Sequence, residues 1–314
     1  MKHKLLYLFT RTPLHVGAGS SVGAIDQPVV RERHTGFPVI PASSLKGSFA
    51  DQWEANLEQG DKRFLRVTTK KNENKEDVMD QALASGWLFG SNNDKAAFTG
   101  AIQFGEGRLL AFPIRSAKGS FAWITCPLLL RRAARDGAIS PKLLHDLKEP
   151  ADEKALFDAR QESKIALGTK VVLEEYTFEI SEWAGLAQLA SQMAGLLDDD
   201  LVWREVASRL AILSDGMMSF FAQNACEVAQ HVRISDETGT AEGGALFNQE
   251  NVPAETLFYS LIHGTDSRVK VGEHAGKKAV DALGAFELKL KETGVFQFGG
   301  DASTGLGYCT VKIS

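Results

Sequence analysis

At 314 residues, 44% hydrophobic and 24% charged, the chain has the composition of a globular protein long enough to bury a large core. No apolar run approaches the ~18 residues of a membrane span, and the start Met1-Lys2-His3-Lys4 followed by Leu5 to Thr10 lacks the length and cleavage site of a secretory leader, so a cytoplasmic protein without membrane contact is expected. The net charge of −5 argues against a generic polyanion binder but conceals an asymmetry, with six Lys and Arg against two acids in residues 1–50 (a local +4) and 29 against 38 in the remainder (a local −9), so that a nucleic-acid surface would be a confined groove fed by the N-terminal region.

In chain order, Lys4 to Thr10 reads as a strand, and Pro13 opens a loop kept free of regular structure by Gly17, Gly19 and Gly23. Phe37 to Pro41 is a short apolar bridge. Ser43 and Ser44 then look like caps of a helix whose Leu45, Phe49 and Trp53 fall at i, i+4, i+8 and share one buried face. Residues 60–80 are polar without a period and read as a mobile insertion, after which Trp87-Leu88-Phe89 anchors the chain before a turn cluster at Ser91 to Asp94. Ala101–Glu106, Arg108–Arg115 and Phe121–Thr125 read as strands, and Pro127 opens a helix that ends near Asp136-Gly137.

Residues 141–165 are a charged helical or irregular insert, Lys170–Ile180 alternates as one strand, and Gly185 to about Ala229 is helical, parted at Asp198-Asp199-Asp200. The tail returns to strands at Ala229–Ile234, Leu246–Gln249, Glu255–Ile262, Ala285–Lys291 and Gly307–Ile313. Between the first two of these, Ser235–Gly244 is a polar turn cluster, expected as a protruding hairpin. No linker divides the chain, and the mixed order without regular βαβ repeats indicates an α+β fold with grafted insertions. Cys126, Cys226 and Cys309 form no CxxC pair and are expected as reduced thiols in apolar surroundings.

Chemistry concentrates between His15 and Gly47. Gly17 and Gly19 would let backbone N–H groups approach a phosphate, or form an ordinary solvent loop; the absence of GxxxxGK[ST] excludes a P-loop. Ser43, Ser44 and Lys46 place two hydroxyls and a cation at a helix start, where a cation is unfavourable unless an anion is near. Asp26 stands before Gln27-Pro28 with Arg31, Arg33 and His34 following, and is either a turn residue or a carboxylate that orients a hydroxyl or holds Mg²⁺. His15 and His34 are candidates for phosphate contact or proton transfer, although a lone histidine is commonly structural. The run from Phe296 to Tyr308 (FQFGGDASTGLGY), which precedes a strand, is not a dinucleotide fingerprint but a glycine loop between strands.

Four blocks, namely the N-terminal glycine loop with its single Asp, RERHTGFPVIPASSLKG, RLLAFPIRSAKGSFAWITCPLLL and the terminal GGDASTGLG, resemble in this order the RAMP superfamily. Within it they are most similar to the backbone subunits of type III-B CRISPR effectors, the Cmr complexes. The resemblance implies one modified ferredoxin-like (RRM-like) palm over residues 1–314, with finger insertions at about 54–95 and 137–168 and a thumb hairpin at about 233–247. It further implies copies stacked along a CRISPR guide RNA beside other subunits of the complex. Target RNA would be cut at six-nucleotide intervals with a divalent metal, Mg²⁺ or Mn²⁺. Carried onto matching positions, Asp26 is the catalytic acid and a possible metal ligand. His15, Gly17, Gly19, Arg31, Arg33, Ser43, Ser44, Lys46, Gly299, Gly300, Gly305 and Gly307 contact RNA, and Asp236, Glu237, Thr238, Gly239 and Thr240 form the thumb tip. A structural filament subunit that does not cut is the competing reading.

Overall fold

Strand Lys2–Thr10 lies between Leu257–Gly264 and Tyr308–Ile313, and Leu257–Gly264 pairs on its other side with Gly107–Arg115, every pairing antiparallel. Numbering these four strands along the chain gives the spatial order 2-3-1-4. Helix Ala42–Gln52 lies between the first and second of them, and helix Ala279–Thr293 between the third and fourth. That is the βαββαβ order of a ferredoxin-like palm. The computed structural model describes residues 2–314 except Ser20, Val22, 54–66, 73–76, Leu83, 93–96, 159–161 and Asp236.

Both helices bind the sheet through aromatic rings, because the i, i+4 spacing puts their apolar side chains on one stripe each. Phe49 meets Phe104, Phe286, Phe296 and Phe298 at centroid distances of 5.0–5.6 Å, and Trp53 stacks on Phe286 at 5.4 Å. Beyond the palm, the second half of Gly107–Arg115 pairs with Phe121–Thr125, which carries the sheet on through Leu210–Ile212, Lys154–Phe157, Tyr176–Glu182 and Lys170–Leu173. Twelve strands join this sheet among the described residues. No described helix is long and apolar enough to cross a membrane.

Several expectations are corrected. The helix at 42 begins at Ala42 with Pro41 as N-cap and no side-chain cap, so Ser43 and Ser44 lie inside its first turn; the extended backbone of Pro41 makes the entry. The described parts of the 60–80 insertion pair as a hairpin, Val67–Lys71 with Asp77–Ala82, since ladder hydrogen bonds need no apolar alternation. Lys154–Phe157 and Leu210–Ile212, expected within an irregular insert and a helix, are strands; their three or four residues are too few to show a period, and sheet neighbours decide them.

Lys170–Ile180 is two strands, broken at Glu174 with φ of 50°. Ala285–Lys291 is helical, not extended: its local alternation Phe286, Leu288, Leu290 competes with the helical set Ala282, Leu283, Phe286, Leu290, and the helix buries the latter while leaving Leu288 exposed. The short strand Val295–Gln297 has no counterpart in the sequence reading. Cys126 and Cys309 are buried as expected, but Cys226 is half-buried with its Sγ 3.3 Å from the Arg31 guanidinium, which is no apolar setting.

The expected thumb is a hairpin of Glu227–Ile234 with Ala241–Asn251, a two-stranded sheet of its own. Glu237, Thr238, Gly239 and Thr240 are exposed at its tip, where the hydroxyls of Thr238 and Thr240 lie 2.8 Å apart; Asp236 lies outside the described residues. Cross-strand partners Val232 and Leu246 are exposed on the same side of the hairpin.

Candidate nucleic-acid interface

The first and fourth palm strands are antiparallel neighbours, Thr10 opposite Cys309, so the loop leaving one and the loop entering the other meet at the same sheet end. Their contact is made by backbone. The N–H of Gly300 donates to the carbonyl of His15 at 2.9 Å, and that of Gly307 to the carbonyl of Pro13 at 2.8 Å. A Cβ at Gly299, where φ is +75°, would fall inside the carbonyl oxygen of His15, and one at Gly17 would lie 2.9 Å from His15 Nε2. Two glycine runs far apart in sequence thus close around one histidine because neither carries side chains there.

The His15 ring is buried and donates from Nδ1 to the carbonyl of Glu250 at 2.7 Å, on the hairpin strand. Gln297, half-buried within the Phe-Gln-Phe run, donates through Nε2 to the carbonyls of Phe298 and Leu306, at 3.1 and 3.2 Å, and ties the two ends of the C-terminal loop. Gly19 and Gly305 lie at positive φ with nothing within 4 Å of a notional Cβ.

Gly299→Ala is therefore expected to destabilise the protein by at least about 1–3 kcal/mol from backbone strain, with the clash against His15 added. Gly305→Ala meets the strain without the clash. Thermal unfolding of the two variants checks this; equal melting temperatures would contradict the packing.

Asp26 sits at the outer edge of the hairpin. Its carboxylate Oδ2 accepts from the backbone N–H of Asn248 at 2.9 Å, while its own N–H donates to Asn248 Oδ1 at 2.8 Å. The side chain is exposed, and Oδ1 has no partner among the described residues.

Two residues beyond Asn248, Glu250 accepts from the N–H of Val29 at 2.9 Å and pairs with Arg31. The Arg31 guanidinium also donates to the carbonyls of Gly36 and Ala222 at 2.8 and 2.6 Å, so both of its terminal nitrogens are engaged inside the protein. Burial pushes the thiol of Cys226 up to about 11 although Arg31 opposes it. Arg31 thus fixes the loop, and Arg33 is the exposed cation of the pair.

Arg33 lines a groove of about 530 Å³ with His34, Arg108, Arg132 and Arg135. Most of that charge is compensated. Arg132 holds Glu32 at 2.8 Å and Arg108 holds Asp136 at 2.8 Å. Burial works against the Glu32 carboxylate, but hydrogen bonds from Thr35 and Arg132 outweigh it and hold its pKa below the usual range. Ser43 and Lys46 open instead onto a separate groove of about 340 Å³, beside Gly90, Asn92 and Phe98, with Ser44 half-exposed in the same helical turn.

The structure therefore gathers Asp26, His15, Gly17, Gly299, Gly300 and Gly307 around the hairpin base and keeps Ser43 and Lys46 on a neighbouring surface. Asn248, Glu250 and Gln297 escape sequence reading because an Asn or Glu in a strand and a Gln between phenylalanines carry no local signal. Asn248 and Glu250 act through partners more than 200 residues away, and Gln297 through carbonyls that only the folded C-terminal loop brings to it.

Among the described residues no three His, Cys, Asp or Glu side chains gather as a metal-binding group. One exposed carboxylate with an unpartnered oxygen nevertheless suits Mg²⁺ or Mn²⁺ bound together with a polyanionic substrate, since Mg²⁺ takes one or two carboxylates and completes its shell with water and phosphate oxygens.

Residues 8–310 match the family model of the RAMP superfamily. The CRISPR system Cmr endoribonuclease Cmr4 of Pyrococcus furiosus is 32% identical over 317 aligned positions, covering 100% of this chain and 96% of that protein. The crystal structure of oligomeric Cmr4 from the same organism superposes with a TM-score of 0.66 at 25% identity, over 100% of this chain and 98% of the other. A chain of the type III-B Cmr-beta complex bound to cognate target RNA shares the fold, with a TM-score of 0.69 at 18% identity over 100% and 97%. Fold order, paired glycine loops and the full-length match agree, and the chain belongs to the RAMP superfamily, in its Cmr4 family.

Proposed function

We propose that this chain is a guide-RNA-binding backbone subunit of a type III-B CRISPR effector of the cytoplasm, and that it cuts target RNA paired to the guide. The observation that carries the reading is the exposed carboxylate of Asp26, held at the hairpin base beside two glycine loops. Sequence-independent binding of a guide needs contacts to phosphate and 2′-OH, which glycine-loop amides, the helix start at Ser43 and Ser44, and Lys46 and Arg33 supply. Sequence is read by base pairing, so a protomer that covers a short stretch needs few cations and tolerates a net charge of −5. Further copies of this chain extend the same track, with other subunits of the complex completing it.

For cleavage, the hairpin splays the target so that a 2′-hydroxyl lies in line with its own 3′-phosphorus. The 2′-O–P bond forms as the P–O5′ bond breaks, with the 2′-hydroxyl releasing its proton to water and the leaving 5′-oxygen taking one from water, which leaves a 2′,3′-cyclic phosphate and a 5′-hydroxyl. The Asp26 carboxylate orients the attacking hydroxyl and is the chain's ligand for a divalent metal; when bound, that metal neutralises charge on the scissile phosphate.

The test is the assembled complex with guide and labelled complementary RNA. Products at six-nucleotide spacing are expected, lost with EDTA and restored by Mg²⁺ or Mn²⁺. Intact target bound to the complex would instead establish a filament subunit that does not cut, and cleavage indifferent to EDTA would remove the metal.

A further inference from the structure

Asn248 lies on the hairpin strand Ala241–Asn251, and each of its four polar atoms is engaged with residues 24–27. Its N–H donates to Asp26 Oδ2 at 2.9 Å, its Oδ1 accepts from the N–H of Asp26 at 2.8 Å, its Nδ2 donates to the carbonyl of Ala24 at 2.9 Å, and its carbonyl accepts from the N–H of Gln27 at 3.1 Å. We infer that Asn248 is the positioning residue for Asp26, locking the carboxylate to the hairpin so that hairpin and acid move as one unit.

The inference rests on the reading of Asp26 as the catalytic acid and adds what aims it. Two of the four bonds are made by the backbone of residue 248 and survive substitution by any residue but proline, so residues 24–27 stay attached to the strand. The two side-chain bonds fix the direction. Oδ1 of Asn248 holds the N–H of the residue that bears the carboxylate, and Nδ2 holds the carbonyl two residues before it, which closes the turn and sets the plane in which Asp26 Oδ1 faces outward. Only an amide provides acceptor and donor at that spacing together. Gln230, the cross-strand partner of Asn248, precedes the exposed Val232–Leu246 pair on the same side of the hairpin, so that pair and the residue holding Asp26 belong to one ladder. The position of the cut is then set by where the hairpin enters the duplex.

The test uses the assembled complex with guide and labelled target under single-turnover conditions, with target affinity measured separately and folding of each variant checked by thermal unfolding. Asn248→Ala is expected to slow cleavage by about 10²-fold, the scale of a small misplacement of a reacting group, at unchanged target affinity. Asn248→Asp keeps the acceptor for the N–H of Asp26 but turns an oxygen toward the carbonyl of Ala24 and adds a negative charge beside Asp26, so a rate no higher than that of Asn248→Ala is expected. A rate and an affinity that fall in proportion would mean that Asn248 only maintains the hairpin, and would overturn the inference. Wild-type cleavage by Asn248→Ala alongside an inactive Asp26→Asn would overturn it while leaving the role of Asp26 standing. Wild-type cleavage by Asp26→Asn would remove the reading on which both depend.

Discussion

Replacing Asp26 by Asn is expected to slow target cleavage by roughly 10²–10⁴-fold, the range associated with losing a group that handles a proton or developing charge in the transition state. The substitution is informative because so little else changes. An asparagine oxygen can still accept from the N–H of Asn248, and the backbone N–H of residue 26 still reaches Asn248 Oδ1, so the loop keeps its clamp while the charge disappears. Guide binding should be unaffected or slightly tighter, since a negative charge has been removed from beside a polyanion. Asp26→Ala removes charge and clamp together and should be no more active. Cleavage assays with guide-loaded complex, read beside guide affinity, check this; an Asn variant that cuts normally would make Asp26 a turn residue after all.

The largest effect on stability is expected at Glu250. Its side chain is 4% exposed and its Arg31 partner 18%, so the pair is shielded from solvent and from salt. Removing the carboxylate leaves the guanidinium half-buried without its counter-charge and orphans the N–H of Val29. Breaking such a pair from one side costs about 3–5 kcal/mol, well above the ~0–1 kcal/mol of an exposed ion pair such as Lys278–Asp266. Glu250→Ala should therefore lower the melting temperature by on the order of 10 °C. Glu250→Gln, which keeps an acceptor for Val29, should lose less. Because this pair and the Asn248 bonds attach the same loop to the same strand, cleavage by Glu250→Ala should fall even at temperatures where the protein remains folded. An unchanged melting temperature would show that the pair contributes nothing net.

Elements were legible where a single period dominates. Lys2–Thr10, the Leu45–Phe49–Trp53 stripe, the Pro127 helix and the strand at 121–125 all appear as read, give or take a residue or two at their ends. Readings failed where local pattern and tertiary partners disagree. Phe-Glu-Leu-Lys-Leu at 286–290 alternates like a strand, yet packing Phe286 against Phe49 and Trp53 buries more than alternation could, and a helix results. Lys154–Phe157 and Leu210–Ile212 carry too few residues to show a period and become strands because sheet edges wait for them.

By itself the sequence determined the α+β class, the glycine loops, the polar hairpin tip and the single Asp in a basic N-terminal segment, because composition, turn chemistry and charge are local properties. Which of these meet was decided only by the tertiary structure. Antiparallel pairing of the first and fourth palm strands brings residues 15–17 against 299–307, and the hairpin ladder brings Asn248 and Glu250 to Asp26 and Arg31. Such contacts span more than 200 residues of chain, and a hydrogen bond leaves no trace in the sequence beyond a donor here and an acceptor there.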